Sequence, residues 1–321
     1  MKKIATILLV AILVVVGMMP AFAEAVTGDL NGDGKIIVGY ISKNVTDVFH
    51  ATLNGTAETY MAQMIEEGYI DEWTGILDGK TDPSEQINLA DICISKSCDY
   101  VIILPAESAA SDPAVVNMAE AGIGVIVVNS STASTAEKAI TYVGSDDIFA
   151  GELMAKFVTE QIPDGGVYLH CQGVIGNSAQ IDRGIGILNI LGEEWECAAD
   201  VPCDWQADRA SNAASDHIAM YGEDLKAIIC DNDDMSSAAQ QTCNELGRSD
   251  IICIGVDGNR GPLSMVKAGT LKATVFQDGA GQITQAIDCV VALCKGETLE
   301  ATYTVPYVLV TSENIDDYYT E

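Results

Sequence analysis

The chain has 321 residues, 48% of them hydrophobic and 20% charged, which is enough apolar material for one large or two medium globular domains and excludes a disordered chain or a fibre. Lys and Arg number 16 against 47 Asp and Glu, a formal charge of −31. A field of that sign repels nucleic acid and anionic lipid, so no nucleic-acid partner is expected.

Residues 1–23 read as an export signal. Lys2 and Lys3 precede the apolar run Ile4 to Met19, and Pro20 leads into the small-residue cleavage site Ala21-Phe22-Ala23. That run is shorter than the roughly 20 residues of a membrane-spanning helix, and no later segment is long and apolar enough to span. A periplasmic or cell-surface protein is expected, with residues 24–34 as a linker. Within that linker Asp29-Leu30-Asn31-Gly32-Asp33-Gly34 has the opening rhythm of a calcium loop, but its twelfth position is Tyr40, which supplies no bidentate carboxylate. No metal site and no cofactor are expected.

The first strand is Ile36 to Ile41, and Thr46 to Glu67 carries helical apolar spacing. The alternation repeats: strand Asp71 to Leu77, helix Pro83 to Ser95, strand Asp99 to Leu104, helix Asp112 to Ala121, strand Gly124 to Val128. Nearly continuous β-branched runs of this kind belong to strands buried on both faces of a parallel sheet. After Tyr142-Val143-Gly144-Ser145, Asp146 or Asp147 caps a helix to Gln161. A second series follows, with strands at Gly166 to His170, Trp195 to Asp200, Ala227 to Cys230 and Ile251 to Val256, and helices at Ala179 to Leu191, Ala207 to Tyr221 and Met235 to Gly247. The end of the chain adds helix Leu263 to Ala268, strand Lys272 to Val275, helix Gly281 to Lys295 and the extended piece Thr302 to Leu309. These are too many strands for one compact sheet, so the fold class is α/β with two doubly wound parallel-sheet lobes.

Ten cysteines in an exported chain make disulfides plausible, with Cys93–Cys98 and Cys197–Cys203 the nearest pairs, while ten free thiols serving as small hydrophobes is the competing reading. Enzymatic signals are thin. The three histidines, His50, His170 and His217, form no His-x-x-x-His pair, and there is no Cys-x-x-Cys, no Gly-x-Ser-x-Gly and no phosphate loop. Adjacent acids such as Asp146-Asp147 and Asp233-Asp234 arise by chance among 47. No catalytic residue is assigned.

Six pieces in order carry a resemblance: Gly39-Tyr40-Ile41-Ser42-Lys43 with Asp47 and Phe49; Tyr142 to Asp146; Ser178-Ala179 to Arg183-Gly184; Asp231-Asn232-Asp233; Gly255-Val256-Asp257-Gly258; and Thr274-Val275-Phe276-Gln277. Together they resemble the periplasmic sugar-binding proteins of ABC importers, the ribose and galactose/glucose binding protein family, over about Lys35 to Tyr307. The resemblance implies a type I periplasmic binding protein with a three-strand hinge near Tyr142 to Ser145, Phe276 to Gly279 and Thr302 to Tyr307. Residues 35–143 with 278–301 would form the N-terminal lobe, and 144–277 with 302–321 the C-terminal lobe.

The same resemblance implies ligand contacts at Asp47, Phe49, His50, Asn129, Arg183, Trp205, Asn232, Asp257 and Gln277. Most of these lie just past the carboxyl ends of strands, where open α/β sheets bind ligands. Phe49 and Trp205 can sandwich the C–H faces of a pyranose, while the acids, amides and Arg183 serve its hydroxyls. Two carboxylates against one guanidinium leave the pocket at about −1, which suits a neutral or amino sugar. Asn129, Asp47 and Trp205 lean toward a hexose. Asn177 and Ala179 depart from the hexose pattern, and His50 stands where the ribose type has a third aromatic. The expected protein is a monomeric, non-enzymatic receptor that hands a monosaccharide to the membrane subunits of an ABC permease. The alternative is a sensor that docks on a chemoreceptor or histidine kinase.

Overall fold

The computed structural model describes residues 27–319, so the expected export signal lies outside the described residues. The first lobe is built from β1 (Ile37–Ser42), α1 (Val48–Glu66), β2 (Glu72–Asp78), α2 (Pro83–Ser95), β3 (Tyr100–Ile103), α3 (Asp112–Glu120), β4 (Gly124–Val128), the single turn α4 (Thr135–Lys138) and β5 (Thr141–Gly144). The second contains α5 (Asp147–Gln161), β6 (Gly166–Gln172), α6 (Ser178–Ile190), β7 (Trp195–Pro202), α7 (Ala207–Tyr221), β8 (Leu225–Cys230), α8 (Asp233–Glu245), β9 (Ile252–Ile254), β10 (Val256–Asp257), α9 (Arg260–Ala268) and β11 (Ala273–Phe276). The chain then returns through α10 (Gly279–Cys294) and β12 (Thr302–Thr304) before β13 (Val308–Thr311).

The first sheet has six strands in the order β12-β5-β4-β3-β1-β2, all parallel. Its hydrophobic runs work on both faces. Along β3, Tyr100 and Ile102 enter the core beneath α1 and α10, whereas Val101 and Ile103 enter the core beneath α2 and α3. The second lobe holds a parallel four-stranded sheet, β7-β6-β8-β9, and a three-stranded one, β10-β11-β13, in which β13 runs antiparallel to β11. Residues 251–256, expected as one strand, divide between these two sheets at Gly255.

One lobe boundary differs from the sequence reading. Residues 302–304 pair with 142–144 of β5 in the first sheet, because the edge of β5 offers ladder partners before the chain crosses. The 27–34 segment is docked as well. Tyr100 Oη donates to the Gly28 carbonyl at 2.8 Å, and Asp99 accepts from the backbone N–H of Leu30 at 2.8 Å. The acidic oxygens of the calcium-like string serve its own turns: Asp29 accepts from the N–H groups of Gly32 and Gly34, and Asp33 from Lys35.

All ten cysteines are free. Cys93 and Cys98 lie thiol to thiol, but Cys197 and Cys203 do not approach one another. β7 runs extended between them and holds them about 20 Å apart, and Cys203 neighbours Cys171 instead.

Candidate ligand-binding site

Strand and helix ends build the site. Asp47 caps α1, accepting from the His50 backbone N–H at 2.7 Å, which fixes Phe49 and His50 on the first helical turn. The His50 ring Nδ1 lies 2.9 Å from the same carboxylate. Burial pushes the Asp47 carboxyl up, but the His50 contacts and the Asn44 amide outweigh it and hold the group well below the usual carboxylate range. Asn129 follows β4, Trp205 follows β7, Asn232 caps α8 after β8, Asp257 ends β10, and Gln277 follows β11.

Three of these residues sit at positive φ without being glycine: Asn129 at 67°, Trp205 at 65° and Asp257 at 140°. Such backbone costs of order 1–3 kcal/mol and gathers at functional sites.

Arg183 reaches the site because α5 and α6 touch backbone to backbone. A Cβ on Gly151 would strike the Arg183 carbonyl, and one on Gly186 the Ile148 carbonyl, so glycine at both positions lets the helices close. Arg183 Nε then donates to Asp147 at 2.9 Å, Nη2 to Tyr307 Oη at 3.0 Å, and Nη1 to the Asp231 backbone carbonyl. Tyr307 in turn donates to Asp147 at 2.6 Å. Burial opposes the guanidinium charge, but Tyr307 and the surrounding carboxylates hold its pKa above the ordinary arginine value.

All nine residues expected from the sequence line one cavity between the lobes, joined by Lys43, Ser130, Asn177, Ala179 and Asp234. Three of the nine present a buried nitrogen with no hydrogen-bond partner among the described residues: His50 Nε2, Trp205 Nε1 and Gln277 Nε2. Unpartnered buried donors are rare because each forfeits its hydration. Three around one cavity make a set of groups that a hydroxylated guest would satisfy.

Lys43 and Asp234 were missed as site residues. Lys43 directly follows β1, so its strand-end position was the available signal. Its ammonium lies 4.9 Å from the centre of the Trp205 ring, and burial lowers its pKa to about 8. Burial and the neighbouring Asp233 raise the Asp257 carboxyl well above the usual range. The count of two carboxylates against one guanidinium therefore changes. Asp147 is the paired counter-ion of Arg183, which leaves Lys43 against Asp47 and Asp234, while Asp257 is shifted toward its neutral form.

Behind the cavity, Asn129 Nδ2 donates to Gln282 at 3.1 Å, and Gln282 donates to Ser145 at the β5–α5 crossing at 2.8 Å. The cleft and the hinge thus share one hydrogen-bonded chain.

Residues 38–298 match the periplasmic binding protein domain family. The xylitol-binding protein of Mycolicibacterium smegmatis is 28% identical over 237 residues, covering 73% of this chain and 67% of that one. The ribose import binding protein of Bacillus subtilis is 29% identical over 242 residues, covering 74% and 77%. Among solved structures, an ABC transporter solute binding protein from Bacillus halodurans with bound myo-inositol superposes with a TM-score of 0.81 at 25% identity, over 88% of this chain and 96% of that one.

Proposed function

The chain belongs to the periplasmic binding protein domain family, whose members are solute receptors of ABC transporters and not enzymes, and from that premise we propose that it captures a neutral, polyhydroxylated ring of monosaccharide size. A hexopyranose or a cyclitol meets the chemistry of the cleft. The carrying observation is the set of three unpartnered nitrogens on His50, Trp205 and Gln277 around one cavity. Sugar hydroxyls both donate and accept, so they serve the Trp205 and Gln277 N–H donors and the His50 Nε2 lone pair at once, beside an Asp257 carboxyl shifted toward its neutral form. The lining holds no excess of cations, so a neutral ligand suits it better than an anion.

In this reading the nine residues Asp47, Phe49, His50, Asn129, Arg183, Trp205, Asn232, Asp257 and Gln277 contact the ligand, with Lys43 beside them. Residues 35–143 with 278–304 close on 144–277 with 305–321 about the three crossings, and the closed monomer delivers the solute to its permease outside the cytoplasm. The bound names of the relatives, xylitol, ribose and myo-inositol, set the first test panel.

Tryptophan fluorescence and calorimetry of the purified protein with xylitol, ribose, myo-inositol, glucose, galactose and allose test the proposal. Saturable binding by at least one, with a spectral change lost in Trp205→Phe, supports it. A folded protein that binds none of them overturns it.

A further inference from the structure

His170, in the interior of β6, is 3% exposed and lies between two carboxylates. Its Nδ1 is 2.8 Å from Asp200 Oδ1 on β7, and its Nε2 is 2.9 Å from Asp231 Oδ1 at the end of β8. A neutral imidazole carries a lone pair on one nitrogen, and either tautomer would set that lone pair against a carboxylate oxygen. Only the imidazolium donates to both. Asp200 and Asp231 are the two charged groups that face the ring; α6 packs against it through Gly184, which brings no charge.

Asp231 is fully buried and ties down two ligand-facing groups. Its Oδ2 accepts from the Gly173 N–H at 2.8 Å. Gly173 is the seat of Trp205: any Cβ there would run into the indole ring. The Asp231 backbone carbonyl accepts from Arg183 Nη1. One buried carboxylate residue thus sets both the indole and the guanidinium of the cleft, and His170 is the only cation paired with its side chain among the described residues.

We propose that His170 is a positioning residue for ligand binding, an imidazolium at neutral pH that neutralises Asp231 and so holds Arg183 and Trp205 in their cleft positions. It touches no ligand itself. The consequence for affinity rests on the reading of the cleft as a polyol site; the consequence for His170, Arg183 and Trp205 in the empty protein does not. A buried carboxylate that loses its hydrogen-bonded counter-ion is left with Arg183 as its remaining cationic neighbour, and the rearrangement that follows shifts the carbonyl and the Gly173 N–H it anchors.

Three measurements decide the matter. Long-range ¹H–¹⁵N spectra of the histidine side chains at pH 7.5 should show both His170 nitrogens protonated, and a neutral tautomer overturns the proposal. In the ligand-free protein, His170→Gln should shift the Trp205 contribution to emission, isolated by difference against Trp205→Phe. Affinity for whichever of xylitol, ribose, myo-inositol or glucose binds should fall at least tenfold. The double variant His170→Gln with Asp231→Asn, which removes the stranded charge, should recover most of both signals. Unchanged emission and affinity in a folded His170→Gln, or failure of the double variant to recover them, overturns the role. Should His170→Gln not fold, Asp200→Asn, which removes only the exposed partner, takes its place with a smaller loss expected. If no panel compound binds the parent protein, the polyol reading fails, and the nitrogen spectrum and the emission shift still decide the role of His170.

Discussion

Asn177 Nδ2, at the start of α6 in the second lobe, donates to the Ala106 carbonyl of the first lobe at 2.9 Å. It is one of several hydrogen bonds that join the lobes directly. Ser108 N–H donates to the Gly176 carbonyl at 2.8 Å, and Ser131 N–H to Ser178 Oγ at 2.9 Å. These bonds act as a latch between the lobes, to which ligand contacts add. A receptor of this kind closes in proportion to the sum of both terms.

Replacing Asn177 by Ser tests the latch. Ser keeps an oxygen able to cap α6, as Asn177 does now for the Ala179 N–H at 3.0 Å, but it is too short to reach Ala106. The lost cross-lobe bond is worth about 1 kcal/mol. Small-angle scattering should show a larger radius of gyration for the empty variant, and affinity should drop about fivefold with little change in melting temperature. An unchanged radius would mean that the bond does not bias closure.

Arg183 and Asp257 should separate stability from binding. Arg183→Ala strands Asp147 and Tyr307 in the interior, a loss of about 3–5 kcal/mol that chemical denaturation will read directly. Asp257 is held at φ 140° with a side-chain partner in Asn259 Nδ2 at 3.3 Å. Asp257→Gly relieves the backbone and removes a buried carboxyl, so it should stabilise the fold by about 1 kcal/mol. Affinity for the solute should nevertheless fall at least tenfold. A variant that is both more stable and fully active would remove Asp257 from the site.

The pH dependence of stability has a definite sign. Burial lowers the His170 pKa, but Asp231 and Asp200 overcome it and raise the value to about 9 from an ordinary 6.5. The folded protein thus holds a proton that the unfolded chain releases between these values. The stabilisation is fully present below pH 6.5 and is lost as pH rises through about 9, a swing on the order of 3 kcal/mol. Lys43, lowered to about 8 by burial, acts in the opposite sense above pH 8. The informative quantity is therefore the difference between the parent and His170→Gln in denaturant titrations from pH 6 to pH 10. The gap should narrow as pH rises; a constant gap would mean that His170 is not charged in the fold.

Thiol labelling reports on the cores. Cys197 is exposed, whereas most of the other thiols are buried, and desolvation raises the pKa of buried Cys230 and of half-buried Cys294 alike, both to about 11. The reduced native protein should give one fast reaction with an aromatic disulfide reagent and all ten only after unfolding. Two or more fast thiols would show that the second-lobe core, where Cys243 and Cys253 lie 3.9 Å apart, opens readily.

Order along the chain was legible where a local rule applies. β-branched runs such as Val101 to Ile103 and Val125 to Val128 declared strands buried on both faces, and Asp146 announced a helix start through the capping oxygen it now supplies. The family resemblance supplied the nine expected contacts, and most of them lie where the carboxyl edge of a parallel sheet faces the same way for every strand. Lys43 obeyed that rule too and escaped because a lysine in a polar loop, between Ser42 and Asn44, looks like surface.

What the linear order could not decide are the contacts between residues far apart along it. His170 and Asp231 are separated by 61 positions, and Tyr307 lies 160 beyond Asp147. Their charges and hydrogen bonds depend on burial, and burial is a property of the packed lobes. The same holds for the Cys203 thiol beside Cys171, for β12 on the first sheet, and for the latch from Asn177 to Ala106. Composition, periodicity and capping chemistry act within a few residues and fix the elements. Desolvation and electrostatics act through space, and only the assembled fold brings the partners within reach.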